Sequence, residues 1–312
     1  MHENLVRRFA EAGLTLVFSD RPIVIGLRGQ GDEVVQVDIQ RKTNGSRRQE
    51  WFRIYPGAKT NRVEVVGTDK KYGQVVLMVH EPVREFIEPL SYTAISGIDF
   101  GDPSWRQVLA SRVNARAQNL TPVYRKGRVV SVSAIRKTPD RKRHMLMGLD
   151  ERQLFIAELP RGVSTVMGAH RILKGGDVTL AEGSGIKTVR QGEWFFLEAS
   201  EEENRRIEEG LTKNWLILER DVPIGPFTDA SNRGLGGRRR VRQFRGNPHT
   251  ADELVVIPGN VLEHGWAVRG REVFIRGHVR HVDHATVTFP KWVKVLRNAE
   301  ANVGQGFGGW VD

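Results

Sequence analysis

Short runs of β-branched and aromatic residues recur along this chain, and they constrain its fold more than any other feature. Each run is bounded by Gly, Pro, Asn or Asp, which predicts strands joined by tight turns. The Asn44-Gly45 pair is a favoured hairpin turn because both residues tolerate positive φ angles. The runs in the first third of the chain occupy residues 14–18, 23–27, 34–40, 51–55, 62–66 and 74–80. The sequence therefore predicts an α+β fold in which antiparallel sheets dominate.

Helices are predicted at only a few places. An amphipathic stretch at the N-terminus ends at Gly13, and Asp102 followed by a proline predicts a helix that continues to Gln118. A short helix is predicted from Ser164 to Leu173. Ser200, followed by three glutamates, predicts a capped helix up to Gly210. Further strands are predicted at residues 128–135, 144–149, 153–158, 193–198, 215–219, 266–269, 272–278, 285–289 and 292–296.

A length of 312 residues corresponds to roughly two domains by the usual size of 100–200 residues each. We expect two or three small domains. The predicted division is an N-terminal β-rich domain (1–120), a central α+β domain (121–222), an arginine-rich connector (223–248), and a C-terminal β-rich domain with a glycine-rich tail (249–312).

The composition excludes several classes of protein. Cysteine is absent, which excludes disulfides, thiolate catalysis and zinc sites built on cysteine. No stretch approaches 18 consecutive apolar residues, and the N-terminus lacks the apolar run of a secretion signal. We therefore expect a cytoplasmic protein with no membrane partner. The chain carries 48 Lys and Arg against 37 Asp and Glu, and this net charge of +11 favours contact with polyanions.

The stretch from Ser231 to Thr250 is the most strongly charged part of the chain. It contains six arginines and no acidic residue, and their guanidinium groups repel one another unless an anion lies beside them. Nucleic-acid phosphate is the anion that this pattern predicts, with Phe244 available to stack on a base. The predicted contacts are Arg233, Arg238, Arg239, Arg240, Arg242, Phe244 and Arg245.

Two predicted turns carry further basic residues. Arg47 and Arg48 follow the Asn44-Gly45 turn, and a second group surrounds Pro139. If these turns meet the connector on one face, they form a groove that follows a DNA or RNA backbone. The alternative is that the cations are solvated at hairpin tips and contact nothing. The second group comprises Arg136, Lys137, Arg141, Lys142 and Arg143.

Histidines are concentrated in the last quarter of the chain, and this raises the alternative of a divalent-metal site. Histidine and aspartate are suitable ligands for zinc, iron or manganese. Residues three apart on a strand, however, point to opposite faces, and this favours separate structural or surface histidines. The candidate ligands are His249, His278, His281, Asp283 and His284. A site of this kind makes a metal-dependent hydrolase or nuclease the alternative to a nucleic-acid-binding protein.

A third possibility is a structural or assembly component whose basic loops bind an acidic protein. Phe307 and Trp310, spaced by glycines in the tail, could then dock into a partner's pocket. The sequence contains no complete catalytic motif, and no helix-turn-helix or zinc-finger pattern indicates sequence-specific reading of DNA. Whether the chain catalyses a reaction therefore stays open at this level.

Overall fold

The computed structural model describes residues 2–23, 33–44, 47–151, 153–225, 248–257 and 272–299. It confirms the predicted α+β class with antiparallel sheets. The described strands are β1 (Leu16–Phe18), β2 (Gln36–Asn44), β3 (Arg47–Tyr55), β4 (Arg62–Asp69), β5 (Gln74–Glu81), β6 (Glu85–Pro89), β7 (Leu120–Arg125), β8 (Arg128–Lys137), β9 (Arg141–Asp150), β10 (Gln153–Glu158), β11 (Thr188–Gln191), β12 (Trp194–Glu198), β13 (Glu219–Pro223), β14 (Thr250–Ile257), β15 (Glu272–Arg280) and β16 (Val287–Arg297).

The α-helices in the described ranges are short. They are α1 (His2–Glu11), α2 (Tyr92–Ile95), α3 (Trp105–Arg112), α4 (Val166–Leu173), α5 (Gly175–Gly183) and α6 (Glu201–Thr212). The predicted cap at Ser200 is confirmed, because its side chain accepts from the N–H of Glu203 and the Glu203 carboxylate accepts in return. None of these helices is both long and apolar enough to cross a membrane.

A four-stranded sheet, in the order β10-β9-β5-β4, organises the first half of the chain. β5, one of its two inner strands, is buried on both faces. Val75, Leu77 and Val79 pack with α1 and with the small sheet β1-β3-β2, whereas Val76 packs with α4 on the opposite face. A separate sheet, β6-β8-β7, is covered by α3.

A six-stranded sheet, in the order β11-β12-β16-β15-β14-β13, forms the second half. Alternation along β12 divides its aromatic residues between two faces: Trp194 and Phe196 enter the core formed with β14 and β15, and Phe195 packs with α5. The helix α6 packs on the sheet through Ile207, beside Trp292 of β16. The apolar side chains of the sheet are therefore buried in the core formed with β14 and β15, and beneath the helices α5 and α6.

Strand pairing crosses two of the boundaries that the sequence predicts. β5 pairs with β9, which joins residues on either side of position 120. β13 pairs with β14, which joins the segments on either side of the arginine-rich connector. Each of these pairs lies inside a larger sheet, so packing is continuous across the predicted divisions at 120 and 222.

Some predicted elements differ in extent. The helix predicted over 102–118 spans only Trp105–Arg112, because Asn114 adopts a φ of 48° just after it. The strand predicted at 215–219 begins only at Glu219, since Trp215 lies in the turn after α6 and packs near Gly210. The two strands predicted over 285–296 are one strand, β16. The strands predicted at 23–27 and 266–269 fall on residues 24–32 and 258–271, outside the described ranges.

Candidate metal centre

Three of the predicted ligand residues meet at one edge of the six-stranded sheet. His249 immediately precedes β14, while His281 and His284 lie in the loop between β15 and β16. Because β15 pairs antiparallel with both β14 and β16, the start of β14, the end of β15 and the start of β16 share an edge. Antiparallel pairing therefore brings together histidines that are up to 35 positions apart in the sequence.

The turn between β11 and β12 completes the surroundings of these histidines. Trp194 pairs with Arg297 at the far end of β16, yet its ring lies edge-on to His249 with centroids 6.4 Å apart. The sheet must therefore curve strongly. This curvature brings the β11–β12 turn close to the β15–β16 loop. The Gln191 amide nitrogen donates to the carbonyl of Ala285 at 2.6 Å and fixes the two segments together.

The three imidazoles are close enough to share a ligand. One ring nitrogen from each of His249, His281 and His284 lies within 4.8 Å of the other two. The rings of His249 and His281 are stacked, with centroids 4.2 Å apart, and that of His284 lies 5.4 Å from His249. Imidazole nitrogen is a transition-metal ligand, and nitrogens this close can reach one ion if the stacked rings turn their lone pairs towards it.

Two of the histidines are buried with unsatisfied nitrogens. His249 is 4 % exposed and His284 is 8 % exposed. Within the described part of the chain, Nε2 of His249 and both ring nitrogens of His284 have no hydrogen-bond partner. His281 is half-buried, and its Nδ1 accepts from the backbone N–H of Asp283 at 3.2 Å. A buried polar atom without a partner costs about 1–3 kcal/mol, so this group is incomplete in hydrogen-bonding terms.

The electrostatic environment keeps His249 uncharged. Burial is the main reason that the pKa of His249 falls to about 3, with smaller contributions from the neighbouring His281 and His284. At neutral pH the ring is therefore neutral and carries a free lone pair. This is the protonation state that binds metal ions.

The group does not include His278 or the carboxylate of Asp283, which the sequence prediction also named. His278 is exposed on β15, and its Nδ1 lies 2.6 Å from Oδ2 of Asp252. Asp283 contacts the group through its backbone N–H. The candidate ligands within the described ranges are therefore His249, His281 and His284.

The basic residues around Pro139 have carboxylate partners in most cases. Arg136 pairs with Glu88 at 2.8 Å and also donates to the carbonyls of residues 113 and 114 after α3. Lys137 pairs with Glu85 at 2.9 Å, and Arg141 lies 4.0 Å from Glu158. Lys142 is exposed on β9. These contacts give the group a structural role, and its predicted binding of phosphate stays a prediction.

Arg143 differs from its neighbours in the sequence because its side chain is buried. Its side chain is only 7 % exposed and pairs with Glu81 at 3.3 Å. One of its guanidinium nitrogens also donates to the carbonyl of Val35. Because the guanidinium lies in the interior, it neutralises a buried carboxylate and cannot reach a polyanion outside.

The remaining predicted contacts fall outside the described residues. They are the connector residues Arg233, Arg238, Arg239, Arg240, Arg242, Phe244 and Arg245, the side chains of Arg47 and Arg48, and the tail residues Phe307 and Trp310.

Sequence reasoning missed three residues beside the histidines. Gly192 lies against the rings of His249 and His284. Gln191 holds the loop, and Glu151 accepts from the N–H of Ala285 at 3.1 Å while lying 3.8 Å from Nδ1 of His284. None belongs to a local motif with the histidines. The only local signal was a turn-forming glycine at 192 and an acidic turn at 150–151.

Comparison of the chain with protein-family models, with curated proteins and with solved structures finds no match in any of the three. The interpretation of the site therefore depends on its geometry and chemistry alone.

Proposed function

We propose that His249, His281 and His284 bind one divalent transition-metal ion and that this ion supports a hydrolytic reaction. The observation that carries the proposal is that one ring nitrogen from each of the three histidines lies within 4.8 Å of the other two. Among the described residues, Nε2 of His249 and both ring nitrogens of His284 are buried without a hydrogen-bond partner. A metal ion would satisfy nitrogens that otherwise remain desolvated and unpaired.

Zinc is the ion that best fits this ligand set. Imidazole nitrogen suits zinc, copper, nickel and iron, and the chain contains no cysteine that would favour a softer site. In a tetrahedral site with Zn–N distances of about 2.0–2.1 Å, ligand nitrogens are separated by about 3.3 Å. The nitrogens, now up to 4.8 Å apart, would therefore need to approach one another by up to about 1.5 Å, with the stacked rings turning so that their in-plane lone pairs meet at the ion.

Three protein ligands favour a catalytic site over a purely structural one. Structural zinc sites use four protein ligands, whereas catalytic sites use three and leave a position for water. Zinc lowers the pKa of that water to about 7, so that hydroxide is available as a nucleophile. His281 is half-buried, which leaves one side of the group near solvent for a substrate. A metal-dependent hydrolase or nuclease is therefore the enzyme class that we propose.

Metal content of the full chain, purified without chelator from zinc-supplemented cells, tests this proposal. We expect about one zinc per wild-type chain, and less than about 0.1 in His249→Ala and His284→Ala, since loss of one of three ligands leaves a weak site. His278→Ala is the matched control, because this exposed histidine lies outside the group and should retain zinc. A wild type with less than about 0.1 metal per chain would contradict the proposal, as would unchanged content in all three variants.

Nucleic-acid binding through the arginine-rich connector is a second candidate function. One structural observation favours it: the N–H of Ile224 donates to the carbonyl of His249 at 2.9 Å. The connector therefore departs from and returns to the chain directly beside the histidine group. A strongly cationic segment attached there would recruit a phosphate polymer to the metal ion.

Salt-dependent binding of labelled single- and double-stranded DNA and RNA tests this second proposal. Replacing Arg238, Arg239, Arg240 and Arg242 with Ala should weaken binding at least 100-fold and flatten its salt dependence, because phosphate contacts release counterions. The control removes the same number of positive charges from exposed positions elsewhere: Lys59, Lys70, Lys71 and Arg161. An equal loss of nucleic-acid affinity in both variants would contradict a specific role of the connector, since it would indicate only non-specific attraction. A wild type that binds no nucleic acid at low salt would also contradict this proposal.

A further inference from the structure

A carboxylate from a different sheet lies against the histidine group. Glu151 occupies the turn between β9 and β10 with a φ of 54°, which is unusual for a residue with a side chain. Its Oε2 accepts from the backbone N–H of Ala285 at 3.1 Å and lies 3.8 Å from Nδ1 of His284. Oε2 of Glu151 therefore binds the backbone of the loop that carries His284 and also faces the Nδ1 edge of the His284 ring.

The opposite edge of the same ring faces Gly192. A Cβ atom at position 192 would lie 3.0 Å from Nε2 of His284 and 3.4 Å from Nε2 of His249. Both of these Nε2 atoms therefore face the place where a side chain at position 192 would project. Neither has a hydrogen-bond partner among the described residues. The carbonyl of Gly192 accepts from Nε of Arg190 at 2.9 Å, which fixes the backbone beside them.

We propose that Glu151 is a positioning residue that orients His284, with Nδ1–H directed at the carboxylate and Nε2 free to bind the metal. This inference rests on the proposed metal site. A neutral imidazole carries one proton, and a carboxylate beside Nδ1 favours the tautomer with the proton there. Metal-binding histidines generally donate their second nitrogen to such an acceptor, which fixes the ring and increases its basicity. A hydrogen bond requires the 3.8 Å separation to shorten by about 1 Å.

A second contact holds this turn in place. Asp150, the preceding residue, pairs with Arg190 at 3.0 Å, and Arg190 is the residue that binds the carbonyl of Gly192. The β9–β10 turn of the four-stranded sheet is therefore tied to the β11–β12 turn of the six-stranded sheet. The histidine group belongs to one sheet, and its orienting carboxylate belongs to the other.

The first test measures the tautomer of His284 in metal-free protein by long-range ¹H–¹⁵N correlation. We expect the Nδ1–H form in the wild type and a shift towards the Nε2–H form in Glu151→Gly, which removes the carboxylate and suits the positive φ. Glu182→Gln is the control, because it removes a carboxylate that pairs with Lys174 away from the histidines. Thermal unfolding of each variant confirms that it is folded. An unchanged tautomer in folded Glu151→Gly would overturn the inference.

The second test measures zinc affinity by competition with a chelating dye. We expect Glu151→Gly and Glu151→Gln to bind zinc about 10–100-fold more weakly than the wild type, which is the usual effect of losing such a partner. Glu182→Gln should retain wild-type affinity. Tight zinc binding by the wild type with equal affinity in both Glu151 variants would refute the role of Glu151 alone. A wild type that binds no zinc, but shows the expected tautomer change, would refute the metal proposal and leave the orientation of His284 supported.

Discussion

Gly192 contributes to the candidate metal centre because its lack of a side chain leaves room beside the histidines. Its backbone adopts a φ of 57° in the β11–β12 turn, and the Nε2 atoms of His249 and His284 lie on the side where a Cβ would project. A metal ion bound to both nitrogens would occupy the same region. Any side chain at this position would therefore compete with the ion directly.

Replacing Gly192 with Ala should weaken zinc binding at least 10-fold, because the added methyl group would lie 3.0 Å from Nε2 of His284. The change also forces alanine into a left-handed backbone, at a cost of about 1–2 kcal/mol. Gly185→Ala is the matched control: its φ is 78° and no atom lies within 4 Å of the added methyl. We expect the two variants to be destabilised to a similar extent, whereas zinc affinity should fall only in Gly192→Ala. Equal zinc affinities would show that the ion binds elsewhere.

The sequence predicted the type of the ligand residues but could not select among them. All three histidines of the group were candidates, and so were His278 and Asp283, whose side chains the structure does not bring into it. The difference depends on where β15 ends, since His278 lies on the strand and His281 just beyond it. Glu151 and Gly192 were missed because their proximity arises only from long-range packing.

At the scale of elements, the β14–β15 pair is held by Asp252 at an irregularity in its register. The pairing of β14 with β15 shifts register between residues 251 and 253, and the pairing of β15 with β16 shifts between residues 275 and 277. Asp252 accepts from the backbone N–H and the ring of His278, and it pairs with Arg280. The hydrogen bond from the His278 backbone is the main reason that the pKa of Asp252 falls to about 2.

Asp252→Asn should reduce the free energy of unfolding by about 1 kcal/mol or less at pH 7, since the group is partly exposed. The folded-state pKa lies below the ordinary value of 3.8, so the unfolded chain takes up the proton first as the pH falls. The difference from wild type should therefore persist above about pH 4 and shrink towards pH 2. Denaturant unfolding at several pH values measures it, with Asp221→Asn, a more exposed partner of Arg280, as the control. A difference that grows on acidification would contradict this interpretation.

The elements with strong local signals were the most predictable. The β-branched run of β5 and the capped helix α6 were both identified, because alternation and capping act over a few residues. The helix around α3 was predicted too long, since no local pattern indicated that Asn114 would turn out of the helix. The strands predicted separately at 285–289 and 292–296 are one strand, β16, which passes through Pro290.

At the scale of the whole molecule, the chain forms sheets that local patterns could not assemble. The fold class followed from composition and periodicity, but the pairing of β5 with β9 and the curvature of the six-stranded sheet depend on packing between distant segments. That curvature places the β11–β12 turn against the histidines, while the β9–β10 turn supplies Glu151. The candidate metal centre therefore forms only when distant segments of the chain pack together. For this reason no local sequence motif indicates it.

Anomalous diffraction at the zinc edge, from crystals of the full chain grown with one equivalent of zinc, tests the metal-binding proposal most directly. We expect one strong peak about 2.0–2.1 Å from a ring nitrogen of each of His249, His281 and His284. A peak bound only to surface carboxylates, or three histidine rings with no peak between them, would contradict it.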